Sequence, residues 1–375
     1  MSVEPLFDEG ANRYDALLVV SFGGPEGMAD VMPFLDNVLD GLRLPDAARR
    51  RVAARYERFG GVSPINAHTR ALVAALRDEL DRHGSALPVY WGNRNWHPLL
   101  PDTLRRMEAD GVERALAFVT STFGSYNGCR KYREDLYQAV EGLRRPPVVD
   151  RLRYGYNHPG FITACTERVE EALAAIPEER RGDAAILFTA HSLPEFAARR
   201  APYVGQLEEA SDLVAAGLGR RPPARHRLVY QSRNARYGPG EWLGPDIGDA
   251  LAEEWERGTT DVVVAPIGFV CDHLEVVLDL DIEAKERADE LGLNFVRAAT
   301  VGTHPAFVGM IRDLARERMT GDPERAALGS RGPSHDFCPS ECCPSGRPGT
   351  PKPALGGHPL PPGSRRLVVR ASGER

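Results

Sequence analysis

The sequence predicts an α/β protein made of two Rossmann-like domains, each a doubly wound parallel sheet, that face each other across a cleft. Short apolar runs recur along the chain, and amphipathic segments of helical length lie between them. Such alternation is typical of βαβ units and parallel sheets. The pattern divides near residue 155, and a chain of 375 residues suits two domains.

Six continuous apolar runs predict strands that helices cover on both faces. These runs lie at Ala16–Ser21, Leu87–Trp91, Ala115–Thr120, Ala185–Thr189, Arg227–Gln231 and Asp261–Pro266. Apolar residues with helical spacing predict the helices. The clearest helical patterns are Thr69–His83, Leu99–Asp110, Gly160–Ala175, Tyr203–Gly217 and Thr303–Met319.

These elements predict where the domains begin and end. We expect one domain over residues 14–155 and a second over 156–302, with the helix at 303–319 packing back on the first. A cysteine-containing extension follows at 320–345. The last 55 residues contain ten prolines and nine glycines, and apolar periodicity stops there. We therefore expect residues 346–375 to be disordered.

Composition and charge exclude several classes of protein. The net charge is −6 and the pI is near 6.0, which argues against a nucleic-acid-binding protein. The sequence has no apolar run of about 18 residues, and its first residues lack the pattern of a signal peptide. We therefore expect a cytoplasmic protein without a transmembrane segment, whose six cysteines do not form disulfides.

Polar motifs directly follow several of the predicted strands. Ligands of open α/β sheets bind outside the carboxyl ends of the strands, so these motifs mark the cleft as the candidate site. The motifs are Ser21-Phe22-Gly23-Gly24, Ser121-Thr122-Phe123-Gly124-Ser125-Tyr126, Ala190-His191-Ser192 and Gly268-Phe269-Val270. No dinucleotide-binding or P-loop motif occurs, so no nucleotide is expected, and no G-x-S-x-G motif supports a hydrolase.

His191 lies at the end of an apolar strand, where its imidazole would project into the cleft. An ordinary histidine pKa of about 6.5 suits proton transfer at neutral pH. A neutral imidazole is also a good ligand for Fe²⁺. The alternative is a hydrogen-bonded histidine with a purely structural role.

Glu275, Asp279 and Glu283 form a row of acidic residues spaced four positions apart. On a helix they share one face, where like charges cost stability unless a cation lies between them. The residues between them are mainly apolar, which indicates that the row is half-buried. The pattern favours a path for a hydrated divalent cation, and a solvated acidic face is the alternative.

Arginines accumulate between residues 43 and 70, with Tyr56 and Phe59 interleaved. Arginine pairs bidentately with carboxylates, so this composition suits a flat ligand that bears carboxylates. Arg55 is the stronger ligand candidate, whereas Arg49–Arg51 are typical of an exposed helix face.

Eight motifs resemble those of the ferrochelatase family in order and spacing, over roughly residues 14–319. They are Ser21–Pro25, Phe59–Asn66, Asn93–Pro98, Thr189–Pro194, Tyr230–Arg233, Trp242–Asp246, Gly268–Glu275 and Thr303–Pro305. The resemblance implies a chelatase-like fold without nucleotide and the insertion of Fe²⁺ into a porphyrin. It implies that His191 and Glu275 face each other across the cleft as the catalytic pair and as metal ligands. Asp279 and Glu283 match the metal path behind them.

Within the family the chain looks most like actinobacterial members, which insert iron into coproporphyrin III to give coproheme. Coproporphyrin III carries four propionates and protoporphyrin IX carries two, so Arg43 and Arg55 favour coproporphyrin III. Ser63 and Tyr126 match pocket positions of the family. Phe22 stands where some members carry a tyrosine that contacts the metal.

The cysteines resemble those of family members that carry a [2Fe–2S] cluster. Such relatives draw one ligand from the region of Cys165 and three from the C-terminal extension, which here implies Cys338, Cys342 and Cys343. Four thiolates satisfy such a cluster. Zinc is the rival occupant, and a disordered tail with incidental thiols is the alternative.

Other functions stay open beside the insertion of iron into coproporphyrin III. One is a chelatase of different specificity, for protoporphyrin IX or for cobalt. The second is a non-enzymatic haem carrier or iron–sulfur sensor. We expect a monomer that makes at most transient contact with the next enzyme of haem synthesis.

Overall fold

The computed structural model describes residues 13–39, 46–219, 225–233, 241–321, 324–338, 342–345 and 352–355. The strands in these ranges form two sheets of four. The first sheet contains β1 (Ala16–Ser21), β2 (Val89–Asn93), β3 (Arg114–Val119) and β4 (Val148–Arg151). The second contains β5 (Ala185–His191), β6 (His226–Gln231), β7 (Asp261–Ala265) and β8 (Asn294–Arg297).

The two sheets have the same plan, and all their strand pairs are parallel. The strand order is β2-β1-β3-β4 in the first sheet and β6-β5-β7-β8 in the second. In each sheet the strand order reverses direction between the two central strands, and ligands of such sheets bind at that point. The predicted α/β class with two doubly wound sheets is confirmed.

Burial explains which strands the sequence predicts. Every residue of β1 and β7 is buried, so their unbroken apolar runs are visible in the sequence. The strands β4 and β8 lie at sheet edges and were not among the predicted strands. They contain Asp150, Arg151 and Arg297, because an edge strand needs fewer apolar residues.

Helices connect the strands and cover the sheets. The first half contains α1 (Met28–Val38), α2 (Asp46–Glu57), α3 (Ile65–Arg82), α4 (Leu100–Ala109) and α5 (Lys131–Val140). The second half contains α6 (Pro159–Ala174), α7 (Glu178–Arg181), α8 (Glu195–Ala198), α9 (Tyr203–Gly217), α10 (Ile247–Glu256), α11 (Leu274–Val276), α12 (Lys285–Leu291) and α13 (Pro305–Thr320). Two π-helical segments, at Tyr126–Arg130 and Val277–Ala284, lead into α5 and α12. None of the described helices has the length and apolar character needed to cross a bilayer.

Helix α13 packs against both halves of the molecule. The ring of Phe307 lies 6.0 Å from that of Phe118 on β3 and 6.2 Å from that of Phe161 on α6. Farther along the helix, Arg312 forms an ion pair with Glu79 of α3 at 2.5 Å. The α13 helix therefore joins the two sheets through an apolar contact and a charged one.

The C-terminal extension also contacts both halves. In the second half, Glu209 of α9 accepts backbone N–H groups of Ser330 and Arg331 at 2.8 and 3.0 Å. In the first half, Leu355 is buried beside α5, and its N–H donates to the carbonyl of Arg133 at 3.0 Å. Residues 352–355 therefore pack on the protein, although they fall in the stretch that we expected to be disordered, because Leu355 buries its side chain there.

We predict that Phe307→Ala lowers the free energy of unfolding by about 3–5 kcal/mol, because it leaves a cavity between two aromatic rings in a fully buried site. Denaturant titration measures the loss. Phe196→Ala is the matched control, since Phe196 is 39% exposed, and its cost should stay below about 1 kcal/mol. Equal losses in the two variants would contradict the role of Phe307.

Candidate active site

His191 is the last residue of β5, at the point where the strand order of the second sheet reverses. Its Nδ1 lies 2.6 Å from the backbone oxygen of Ser192. A carbonyl only accepts hydrogen bonds, so Nδ1 carries the proton of the neutral ring. The lone pair of the neutral imidazole is therefore on Nε2, and Nε2 lies 3.7 Å from Oε2 of Glu275. The predicted pair does meet, with both side chains partly exposed.

Glu275 is held at the start of the helical segment that follows β7. His273 caps this segment by accepting the N–H of Val276 at Nδ1, at 3.4 Å. The N–H of Leu274 donates to Oγ of the buried Ser63 at 3.3 Å. Ser63 belongs to the first half of the molecule, so its hydroxyl connects the two halves next to Glu275.

The acidic row continues along the π-helical segment, where residues four apart still share a face. Asp279 is buried, whereas Glu283 is exposed. Burial and, to a smaller extent, the neighbouring carboxylates of Glu275 and Glu283 raise the pKa of Asp279 to about 6, against a lowering by the Ser232 hydroxyl that donates to it. The row thus runs from the surface, past a buried carboxyl group, to the His191–Glu275 pair.

Arg297 at the end of β8 fixes the segment that carries the acidic row. Its guanidinium pairs with Asp272 at 2.9 Å, three residues before Glu275, and also with Asp281 inside the π-helical segment. These two carboxylates share one cation. Among the described residues, Asp279 and Glu283 form no ion pair with a cationic side chain, so no cation balances this part of the row.

Aromatic side chains of the first half lie beside this row. Phe22 contacts Phe34, and Phe34 contacts Tyr56, with ring centroids 6.3 and 5.6 Å apart. Burial raises the pKa of Tyr56, and the carboxylate of Glu275 raises it further, which puts the phenol close to the catalytic pair. Tyr56 was not among the predicted site residues, although its place in the arginine-rich segment was a usable signal.

The other described residues that we expected to contact the porphyrin differ in exposure and in hydrogen bonding. Arg55 is exposed on α2, and Arg43 lies outside the described residues. The hydroxyl of Tyr126 donates to Glu134 at 3.1 Å. Arg94 lies over the ring of Phe22, 5.5 Å from its centroid, and pairs with Asp135.

Three of the four predicted cluster cysteines come together. The ligand atoms of His335, Cys338 and Cys342 all lie within 4.8 Å of one another, and the sulfur atoms of Cys342 and Cys343 are 3.6 Å apart. A hydrogen bond with Cys129 and another with Cys342 lower the pKa of Cys338. The fourth thiol of the group is therefore that of Cys129.

Cys165 is not part of this thiol group. It lines a separate apolar cavity with Phe188, Ala265 and Ile267, because α6 turns that face toward the second sheet. Cys129 instead lies in the π-helical segment after β3, next to Arg151, where the extension packs. The sequence offered one signal for Cys129, which is its position just after a polar motif at a strand end.

Comparisons with known proteins agree with this geometry. The ferrochelatase family model matches residues 14–319. The chain is 48% identical to a ferrochelatase of Rhodopirellula baltica, over 92% of this chain and 97% of that one. It is 47% identical to a coproporphyrin III ferrochelatase of Streptomyces coelicolor, with the same coverage of 92% and 97%. Among solved structures, SirB of Bacillus subtilis with Fe³⁺ has a TM-score of 0.50 at 10% identity, over 84% of this chain and 100% of SirB, which shows a shared fold.

We predict that Asp279→Asn raises the free energy of unfolding at about pH 8 by on the order of 1–3 kcal/mol. The folded-state pKa of Asp279 is raised from 3.8 to about 6. The contribution of the protonated carboxyl group to the free energy of unfolding is thus fully present below about pH 4. It is lost as the pH rises through about 6. Denaturant titrations at the two pH values measure the gain, which should vanish at about pH 4.

The matched control for this prediction is Glu283→Gln. Glu283 is exposed, so its neutralisation should give less than half of the gain at about pH 8. If Asp279→Asn raised the free energy of unfolding equally at both pH values, a raised pKa of Asp279 would be ruled out as the cause of the gain.

Proposed function

Because this chain belongs to the ferrochelatase family, we propose that it inserts Fe²⁺ into coproporphyrin III and releases two protons. The observation that carries the proposal is the His191–Glu275 pair at the strand ends of the second sheet, with Nε2 and Oε2 3.7 Å apart. The name of the Streptomyces coelicolor relative supports the choice of porphyrin.

His191 and Glu275 have complementary tasks in this proposal. The ring of His191 is held with Nδ1 on a carbonyl, so Nε2 is free to accept a pyrrole proton. Glu275 faces Nε2 with a carboxylate, a ligand type suited to divalent cations. The porphyrin loses two N–H protons as the metal binds its four nitrogens, so charge balances when Fe²⁺ replaces two protons.

The acidic row delivers the metal in this proposal. Hydrated Fe²⁺ reaches the exposed Glu283 first and then the carboxylate of the buried Asp279. Each carboxylate oxygen can replace one water of hydration, so the ion loses its shell in steps. The cation also relieves the repulsion between the acids of the row.

Phe22 and the aromatic side chains next to it suit the face of a macrocycle. Phe22 has no hydroxyl, so the metal ligands come from the second half of the molecule. Arg55 is exposed and has no carboxylate partner among the described residues, which leaves its guanidinium available to a propionate. We extend the same role to Arg43, and we propose that Ser63 and Tyr126 border the porphyrin.

We predict that His191→Ala abolishes iron insertion while coproporphyrin III still binds, because the variant loses the proton acceptor and keeps the aromatic pocket. Anaerobic insertion assays with coproporphyrin III and protoporphyrin IX, side by side, measure this, and the wild type should prefer coproporphyrin III. His226→Ala is the control, since His226 lies at the opposite end of its strand and pairs with Asp212.

Each alternative function has its own outcome in these assays. Near-normal insertion by His191→Ala would overturn the assignment of the proton acceptor. Equal rates with the two porphyrins would overturn the substrate, and faster insertion of Co²⁺ than of Fe²⁺ would overturn the metal. A haem carrier would bind the porphyrin without insertion.

We also propose that the chain holds a [2Fe–2S] cluster on Cys129, Cys338, Cys342 and Cys343. The thiols fit such a group in number and type, since a [2Fe–2S] cluster takes four thiolates. Cys129, Cys338 and Cys343 are buried and Cys342 is partly exposed, so solvent is largely kept away. Zinc is the rival, with His335 as a possible ligand.

We predict that Cys129→Ser loses the cluster, whereas Cys165→Ser retains it. Iron and sulfide content and visible absorption of anaerobically purified protein measure this difference. Cys165 is a matched control because it is also buried but lines a different cavity. Loss of iron and sulfide in both variants, or in neither, would contradict Cys129 as a ligand.

The location and assembly of the protein stay predictions. These are a cytoplasmic monomer and a transient contact with the next enzyme of haem synthesis. The division into domains at residues 155 and 302 is likewise a prediction.

A further inference from the structure

Two buried arginines next to the thiol group have no acidic partner among the residues that the structure describes. The side chains of Arg133 and Arg151 belong to residues only 2% and 3% exposed. Neither forms an ion pair with a carboxylate of the described residues, and Nη1 of Arg133 and Nε of Arg151 have no hydrogen-bond partner there. An unpaired cation in the protein interior is costly, so these two positions call for an anion.

The neighbouring arginines show how unusual these two are. Arg153 lies two residues after Arg151 and is equally buried, but its Nε and Nη2 both donate to Glu317 at 2.7 Å. Arg130 pairs with Glu134 at 3.1 Å. These two neighbouring arginines are thus neutralised by a carboxylate, whereas Arg133 and Arg151 have none within the described ranges.

The sulfur atoms supply the missing negative charge. Nη2 of Arg151 lies 3.6 Å from Sγ of Cys338. Arg133 lies four residues after Cys129, on the continuous helix that the π-helical segment and α5 form, so the two side chains share one face. Both guanidinium groups therefore lie close enough to the thiols to interact with them.

We propose that Arg151, assisted by Arg133, is the charge-compensating group of the cluster and keeps its reduction potential higher than the thiolates alone would allow. This inference rests on the proposed cluster. A [2Fe–2S] cluster with four thiolates carries a net charge of about −2 when oxidised and about −3 when reduced, and net charge and hydrogen bonds to sulfur set its potential. A nearby cation stabilises the more negative state more strongly.

The test compares two substitutions at one position. Arg151→Gln removes the charge, and Arg151→Lys keeps it while losing the guanidinium geometry. An anaerobic redox titration, followed by the electron paramagnetic resonance signal of the reduced cluster, gives each potential. We expect a shift to more negative potential in Arg151→Gln and a shift less than half as large in Arg151→Lys. Arg133→Gln should shift the potential in the same direction.

Arg153→Gln is the matched control, because it removes an equally buried arginine that is paired with Glu317 and does not contact the thiols. It should lower stability without a shift in potential. If Arg151→Gln loses its cluster while Arg151→Lys retains it, the charge is needed to hold the anion, which also supports the proposal.

Equal potentials, or equal cluster loss, in the Gln and Lys variants of Arg151 would overturn the assignment. So would a shift in Arg153→Gln as large as that in Arg151→Gln. A wild-type protein that takes up no iron and sulfide on reconstitution would remove the cluster itself. That result is distinct from an unchanged potential, which removes only the role of Arg151.

Discussion

Parallel pairing of β5 with β6 and β7 is the constraint on which the active site depends. Parallel strands end at the same edge of a sheet, so three sequence-distant segments meet there. His191 ends β5, Gln231 ends β6 and is followed by Ser232, and the loop after β7 leads to Glu275. The hydrogen bonds that reach Asp279 come from the end of β6. A change of strand order would separate these groups.

Acidic side chains in this site are balanced in two different ways. Asp272 and Asp281 share Arg297, which gives the segment a fixed position. Asp279 is left with hydroxyl and amide donors and a raised pKa. The protein thus provides an arginine for the carboxylates that hold the backbone, whereas Asp279 has no cationic side chain among its described hydrogen-bond partners. A buried Asp279 without a cation costs stability, and the burial of the apolar residues of β5 and β7 offsets that cost.

Sequence reasoning recovers the central strands because they leave strong local signals, and the resemblance to the ferrochelatase family brings His191 and Glu275 together. The catalytic roles of the two residues stay predictions. The apolar runs of β1 and β7 and the four-residue spacing from Glu275 are visible without any three-dimensional information. The edge strands β4 and β8 leave no such signal, because each is only four residues long and contains charged or polar residues. Contacts between distant segments were also missed. Neither the proximity of Cys129 to Cys338 nor that of Tyr56 to Glu275 follows from any local pattern.

The C-terminal extension has a mechanical consequence for the whole molecule. Two domains joined by a small interface ordinarily rotate about a hinge. Here the described parts of the extension contact α9 through Glu209, and the π-helical segment and α5 through Arg130 and Arg133. Helix α13 contacts both halves as well. Rotation of one sheet against the other would break these contacts, so we expect the two sheets to keep their relative orientation when a flat macrocycle binds.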